Sequence, residues 1–529
     1  MSSRFITVLG GGLSGLSAVF HLARRFPARS GIRIALVESS QRLGGWVQSE
    51  KVRVQDGAGH EADVVLESGP RTLRPVSKAV LELVHLLALK SSVLTVPRTA
   101  PAARNRFVHL PGQDGLAVIP GSFLALLRSP LAKILVPAVL KDARLFSGTV
   151  PSLSCPSVLN TSTPNDESVD AFLTRHFGAD FAQTFGSALV HGIYAADSRV
   201  LSVRSAFSAM CQLEESGKGS VTRGAVSEML TSRKRDIRGS ADAGPYELGD
   251  IPELLKGTSV FSFQDGMQIL TDTVVARLAA LPHVDIVKGD GVMELSKATD
   301  EGGFEVATES GKRLPSSHIV SAIPLPHLHR LLSTPNYPQS GLAPLPHLTV
   351  NPSSSVTVVN LVFPPTADPI HPEGFGYLIP RPSTDYPSSS LGMLGTVFDS
   401  CALPSQDKPI SPSPSPFRFT KLTVMLGGPY GPPTPAPSSP SFLPALLETL
   451  RRHLGRADPL PEPCLVRVRE HKDCIPTPTV GHAVRMAELA TAVREHWGAN
   501  VAVIGAGVGG VSVGDCVEGG RRAAYSLEL

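Results

Sequence analysis

Three glycines, Gly10, Gly12 and Gly15, stand in GxGxxG spacing between an apolar run, Phe5 to Leu9, and a helical pattern opening with Leu13 and Ser14. Such a turn lets the backbone, Gly11 included, approach a pyrophosphate, and the helix start offers free N–H groups and positive partial charge. Glu38, with Ser39 beside it, ends a second extended run. A carboxylate there accepts hydrogen bonds from a ribose 2′-OH and repels a 2′-phosphate, so the pattern implies a dinucleotide and disfavours NADP. FAD and NAD share this fingerprint. Arg42-Leu43-Gly44-Gly45-Trp46 places a cation and two permissive glycines where the pyrophosphate of FAD would run, and Glu67-Ser68-Gly69-Pro70-Arg71-Thr72 adds a second glycine turn with an arginine. Together they favour FAD.

A second GxGxxG, Gly505, Gly507 and Gly510, follows the strand-like Val501 to Ile504 near the end of the chain. Too few residues follow Gly510 for a helix, another strand and its ribose-binding acid. Gly505 to Arg522 therefore reads as the closing strand and last helix of the same FAD domain. Val511, Ser512 and Val513 then approach the flavin end, and a helix starting near Asp515 directs its N-terminal dipole at the reduced flavin.

The elements that position these groups follow from periodicity. Phe5 to Leu9, a helix carrying Leu16, Val19, Phe20 and Ala23, and Ile32 to Val37 form a βαβ unit. A helix is predicted over Lys78 to Leu89, and from Gly266 the nucleotide-fold pattern returns: a helix through Leu281, strands at Val284 to Val287, Phe304 to Thr308 and Ile319 to Ile323, and a turn at Gly289-Asp290-Gly291. Residues 151–168, 232–250, 408–416 and 429–441 have the composition of inserts or linkers.

The 529 residues, 42% hydrophobic, suffice for more than one domain, and a net charge of +3 gives no case for nucleic acid. Six scattered cysteines without a CxxC pair point to reduced thiols, and no metal site is expected. Only Met1-Ser2-Ser3-Arg4 precedes the first strand, so no cleavable presequence is expected. The apolar stretch Leu116 to Leu140, broken by Pro120, Arg128, Pro130, Lys133 and Pro137, suits a surface that touches a bilayer without crossing it, or an ordinary core helix pair. His191, His327 and His482 are dispersed and read as packed or exposed, with no catalytic constellation.

Further motifs carry a resemblance. Asn105-Arg106-Phe107, Val190 to Asp197, Gly374-Phe375-Gly376, Leu391-Gly392 with Phe398-Asp399-Ser400, Pro478 to His482 and Gly510 to Arg522 lie in an order similar to the mitochondrial, eukaryotic protoporphyrinogen oxidase family, within the superfamily of amine oxidases and phytoene desaturases. The resemblance implies an α/β (α+β) fold: a Rossmann-like FAD domain from discontinuous segments (1–90, 259–330, 481–529), a helical membrane-associated region (91–230), a flexible insert (231–258) and a mixed-sheet substrate domain (331–480). It also implies noncovalent FAD, O2 as acceptor, H2O2 as product and six-electron oxidation of protoporphyrinogen IX to protoporphyrin IX in haem synthesis. A homodimer on the mitochondrial inner membrane belongs to the same expectation.

By position, Gly10, Gly12, Gly15, Glu38, Ser39, Trp46, Gly69, Pro70 and Arg71 match cofactor contacts of that family. Val292 matches the residue whose backbone meets adenine, and Val511 to Val513 match the flavin-end segment. Arg106 matches an arginine that pairs a substrate propionate, Gly192 leaves room above the flavin for a macrocycle, and Phe375 is an apolar wall. Two departures stand out: Ala195-Ala196 where the family has Ala-Gly, and Gly514 where Asn is common. No side-chain acid or base is required, since the flavin carries the redox chemistry. Two alternatives stay open on the same scaffold: another FAD-dependent oxidase or desaturase, and a non-catalytic escort or GDP-dissociation-inhibitor-like protein.

Overall fold

A computed structural model describes residues 4–120, 129, 131–144, 166–231, 244–298, 303–333, 340–387, 389–410 and 418–528. Most of the 151–168 insert, residues 232–243, residues 411–417, and Arg128 and Pro130 lie outside the described residues.

The βαβ unit forms as its apolar pattern dictates: strand Phe5–Leu9, helix Leu13–Arg25 and strand Arg33–Glu38. Phe5–Leu9 is the centre of a parallel five-stranded sheet ordered Val501–Val503, His318–Ser321, Phe5–Leu9, Arg33–Glu38, Val284–Lys288. One sheet thus draws strands from the beginning, middle and end of the chain. Two of its inner strands, Phe5–Leu9 and His318–Ser321, are buried almost throughout, and the sheet is dense in Val, Ile and Leu, as parallel sheets require. The helix Leu13–Arg25 is buried from Leu13 to Ala23 because the closing helix Val513–Ser526 lies on it. A Cβ on Gly520 would stand 2.4 Å from Ser14 O, so glycine sets how closely the two helices approach.

The second large element is a mixed seven-stranded sheet, ordered Leu465–Pro476, Ser353–Phe363, Thr420–Gly427, Met393–Val397, Gly376–Leu378, Phe107–Val108, Ala117–Val118. All its pairs are antiparallel except Gly376–Leu378 with Phe107–Val108. Alternation along Ser353–Phe363 divides its faces: Val359, Leu361 and Phe363 pack under helix Phe442–His453 through Phe442, Leu446 and Leu450. Val356 and Val358 point the other way, against Leu394 and Ala195. Lys421, almost wholly buried, ties this sheet to strand Glu61–Glu67 by donating to Val65 O (2.6 Å) and Asp407 (2.7 Å).

Helices over 169–231 form a separate apolar cluster. Among the described residues no helix is long and apolar enough to cross a membrane. Several sequence expectations are corrected. Residues 93–118, assigned to a helical region, supply strands Val93–Pro97, Phe107–Val108 and Ala117–Val118. The helix expected to Leu89 stops at Leu86, where Ala88 turns left-handed (φ 57°) into a short 3-10 segment.

Candidate cofactor and substrate site

The opening turn and the closing tail meet. Ala322 N donates to Leu9 O and Ile504 N to Ser321 O (both 2.8 Å), so the ends of three adjacent strands lie side by side. A Cβ on Gly10 (φ +97°) would lie 3.1 Å from Ala322 C, and one on Gly15 would lie 1.9 Å from Gly10 O. Gly15 therefore permits close helix-to-strand contact. Gly12 differs: a Cβ there meets nothing within 4 Å. The helix it precedes starts on buried residues, Leu13, Ser14 and Gly15, with no side-chain cap. A buried helix start without a cap leaves N–H groups and positive partial charge for an outside anion. That arrangement fits a dinucleotide pyrophosphate.

Glu38 is fixed at its strand end. One carboxylate oxygen accepts from Gly11 N (2.6 Å), the other from Ser40 N (2.8 Å) and Ser39 Oγ (3.2 Å). A carboxylate has about four acceptor positions, so one is left for a ribose hydroxyl. The turn before Val292 closes over this corner: Gly289 N donates to Ser40 O (3.0 Å), Asp290 N to Glu38 O (3.1 Å), and a Cβ on Gly291 would lie 3.3 Å from Ser39 Cβ. Val292 and the Glu38-Ser39 corner are thus brought together.

Two glycine loops stack on the opening turn. Gly44 N donates to Gly11 O (2.8 Å), and Gly45 (φ +59°) packs on Gly12 Cα. Gly69 lies so close under Trp46 O that a Cβ would be 2.2 Å from it. Trp46 is exposed and meets His471 edge-on at 5.2 Å. Ser68 Oγ, between these loops, is buried without a hydrogen-bond partner.

The two loop arginines have protein partners. Arg42 donates to Leu43 O and Val47 O (3.0 Å each) and to Gly45 O, so it holds its own loop closed. Arg71, expected as a loop cation, is buried and pairs with Asp399 at 3.2 Å. Asp399 also accepts from Thr423 Oγ1 (2.6 Å), which accepts from Asn360 Nδ2 (2.8 Å). This chain joins the 67–72 loop to the seven-stranded sheet. Pro70 and Thr72 are half-buried beside it. Glu67, at the loop's head, accepts from Ser49 Oγ (2.7 Å) and Met267 N (2.8 Å); burial pushes its pKa up to about 7 despite those bonds.

At the tail, the helix starts at Val513, not near Asp515. Ser512 is its cap, and Ser512 and Asp515 bond reciprocally: Asp515 N donates to Ser512 Oγ (3.0 Å), and the Asp515 carboxylate accepts from Ser512 N (3.1 Å). Asp515 therefore fixes the Val511-Ser512-Val513 backbone. Gly514 has a local reason, since a Cβ would lie 2.8 Å from Ser77 Oγ. The other departure is accommodated too. The left-handed residue is Ala195 (φ 47°), not Ala196, and its carbonyl would stand 2.4 Å from a Cβ on Gly428.

The expected substrate residues gather around one parallel strand pair. Phe375 N donates to Asn105 O (3.0 Å), and the Arg106 guanidinium lies 6.0 Å from the Phe375 ring centre. Gly374 lets Phe107 pass, as a Cβ would lie 2.4 Å from its ring. Arg106 is exposed, and no carboxylate among the described residues pairs with it. Desolvation, then the Arg74 charge, lowers its pKa. Gly192 needs a correction: a Cβ there would strike Leu378 Cδ2 at 2.6 Å, so the glycine lets helix Ser187–Tyr194 approach strand Gly376–Leu378 and the space beside it is filled. Sequence reasoning missed Leu378, Val356, Val358, Leu394 and Met425, which cluster on this side of the sheet with Ala195. Strand alternation was the signal available for them.

His191 is buried, its Nδ1 2.7 Å from Ile379 O and its Nε2 2.9 Å from Tyr386 OH. Burial lowers its pKa to about 4, so it is a neutral, packed side chain. His482 is packed beside Asn351, and His327 is exposed.

Residues 13–527 match the family model described as flavin containing amine oxidoreductase. The chain is 33% identical to the protoporphyrinogen oxidase of Homo sapiens, covering 99% of this chain and 98% of that protein. It is 30% identical to the protoporphyrinogen oxidase of Schizosaccharomyces pombe, with the same coverage. Among solved structures, a putative protoporphyrinogen oxidase from Exiguobacterium sp. 255-15 superposes with a TM-score of 0.71 over 99% of both chains at 20% identity, a likeness of fold.

Proposed function

This chain belongs to the flavin-containing amine oxidoreductase family, and on that premise we propose that it is an FAD-dependent oxidase converting protoporphyrinogen IX to protoporphyrin IX. The observation that carries the reading is similarity along the whole chain to curated protoporphyrinogen oxidases.

In this reading Glu38 and Ser39 hold the adenosine ribose, Val292 lies at the adenine, and the Gly10 to Gly15 turn with the Gly44-Gly45 and Gly69-Pro70 loops cradles the pyrophosphate. Arg42 and Arg71 contribute by holding those loops, through its own carbonyls and through Asp399. Val511 to Val513 line the flavin end, their backbone fixed by the reciprocal Ser512 and Asp515 cap. Bound FAD supplies the hydride acceptor and the route of electrons to O2, with H2O2 as product. The protein contributes orientation and dryness. Arg106, which pairs with no carboxylate among the described residues, binds a substrate propionate, and Phe375 with the apolar face around Leu378 excludes water from the macrocycle. No histidine is needed as a base, in keeping with His191 being neutral and doubly bonded.

The same reading places the protein as a peripheral, homodimeric enzyme on the mitochondrial inner membrane. Purified protein with O2 and protoporphyrinogen IX is expected to give porphyrin fluorescence and H2O2 together, with flavin released by denaturant. Flavin that turns over with an amine but leaves the porphyrinogen unoxidised would overturn the substrate assignment in favour of an amine oxidase.

A further inference from the structure

Far from the proposed reaction, the helices Ala132–Arg144, Val169–Phe177, Ser208–Ser216 and Val221–Thr231 meet around a buried group of charges. His176 and Asp142 side chains have no solvent exposure, and His176 Nδ1 lies 2.7 Å from Asp142 Oδ1. The other Asp142 oxygen accepts from Ser220 Oγ (2.9 Å) and Thr222 N (2.7 Å). Burial opposes the Asp142 charge, but the bonds from His176, Thr222 and Ser220 outweigh it and hold its pKa at about 2. Asp142 is ionised throughout the working range, and His176 donates to it from Nδ1.

Two groups compete for the opposite ring nitrogen. Arg175 Nη1 is 3.0 Å from His176 Nε2, and Glu214 Oε1 is 3.3 Å from it. A bare Nε2 can only accept, and takes the Arg175 N–H; a protonated Nε2 can only donate, and takes the carboxylate. Arg175 has other acceptors in Glu214 (2.7 Å) and Glu167. Glu214, nearly as buried, has one carboxylate oxygen with no partner among the described residues. With His176 neutral, Asp142, Glu214 and Arg175 leave one uncompensated negative charge inside the protein; with His176 protonated that inner group is neutral. The Phe172 ring, 4.6 Å from the imidazole, helps keep water out.

We propose that His176 is a proton-operated latch on helix Ala132–Arg144: protonated, it bridges Asp142 of that helix to Glu214 of Ser208–Ser216; deprotonated, it releases Glu214 and loosens the helix. The groups that face it are Asp142 from Ala132–Arg144, Glu214 from Ser208–Ser216 and Arg175 from its own helix, while Val221–Thr231 reaches Asp142 through Thr222. Burial lowers the His176 pKa, but the two carboxylates raise it further, so the net direction is upward. A histidine raised in the native state stabilises fully below its unfolded value and loses that contribution as pH rises through its native value. The latch is therefore closed on the acid side and opens toward alkaline pH. It does not depend on what the enzyme oxidises.

The test is hydrogen exchange of residues 132–144 in the full-length holoprotein between about pH 6 and about pH 9, corrected for the chemical exchange rate. Wild-type protection is expected to fall across this range, and His176→Gln to show no such step. Parallel profiles would overturn the proposal. If His176→Gln fails to fold, Glu214→Gln keeps the imidazole and removes the carboxylate charge that its proton faces. Because glutamine keeps an acceptor oxygen and loses only the negative charge, the step is expected to move to lower pH, and an unmoved step would equally overturn the latch.

Discussion

Replacing Gly12 by alanine separates what the protein fold needs from what the cofactor needs. In the turn, Gly10 and Gly15 are constrained by protein atoms, whereas a Cβ at Gly12 meets nothing within 4 Å. The Gly12 backbone, φ −70° and ψ 179°, is one that alanine adopts without strain. Gly12→Ala should therefore leave the flavin-free protein as stable as wild type, or more stable by about 0.4–1 kcal/mol through reduced freedom of the unfolded chain. The open space beside Gly12 is where the pyrophosphate is placed, and a methyl group forced into a filled site costs about 1–3 kcal/mol. That weakens FAD binding by roughly 5- to 150-fold. Isothermal titration of flavin-free protein with FAD, alongside urea melts of the same samples, measures both. Unchanged FAD affinity with a stable Gly12→Ala protein would refute the placement of the pyrophosphate; a large loss of stability would refute the reading that only the cofactor occupies that space.

Other consequences are equally specific. Arg106→Ala should raise KM for the porphyrinogen far more than the FAD dissociation constant, by an amount equivalent to roughly 1.5–3 kcal/mol, and an unaltered KM would remove Arg106 from the site. Asp399→Ala leaves the buried Arg71 charge unpaired and should cost about 3–5 kcal/mol in urea unfolding, whereas a loss within error of zero would mean that the pair is not formed. Gly192→Ala should impair activity because its methyl meets Leu378, and the added Leu378→Ala change should restore part of it; no rescue would show that contact to be irrelevant. Glu67, ordinarily near 4.5 and raised to about 7, holds a proton that the unfolded chain releases. Stability should therefore fall as pH rises between those two values, by up to about 3 kcal/mol, and Glu67→Gln should flatten that slope in a urea-midpoint series.

The nucleotide half was legible because its signals are local. Phe5 to Leu9 and the helix after it show their periods within a few residues, and the GxGxxG spacing is itself local, although Gly10 is constrained by Ala322 from a later segment. The tail strand was legible from the periodicity of Val501 to Ile504; it joins the nucleotide sheet beside His318–Ser321, and the closing helix lies on Leu13–Arg25. Its helix start was misjudged by two residues, since Ser512 and Asp515 are both acceptable caps and only the backbone decides between them. The substrate half was far less legible. Phe107–Val108 is too short to show a period, and its partner strand lies at Gly376–Leu378. The role of Arg71 depends on Asp399, a residue distant in sequence, so a loop arginine aimed at a phosphate and one clamped by a carboxylate read alike. Gly192 shows the same limit: small size was evident, but not which neighbour required it.

The central claim is that a flavin seated between the first and last segments of the chain takes its electrons from a porphyrinogen. It is tested most directly by mixing the purified holoprotein with protoporphyrinogen IX in the absence of oxygen and following the flavin absorption band and porphyrin fluorescence together. Bleaching of the flavin in step with the appearance of porphyrin is expected, with return of the band when O2 is admitted. A flavin band that stays oxidised while the porphyrinogen remains unchanged would contradict it.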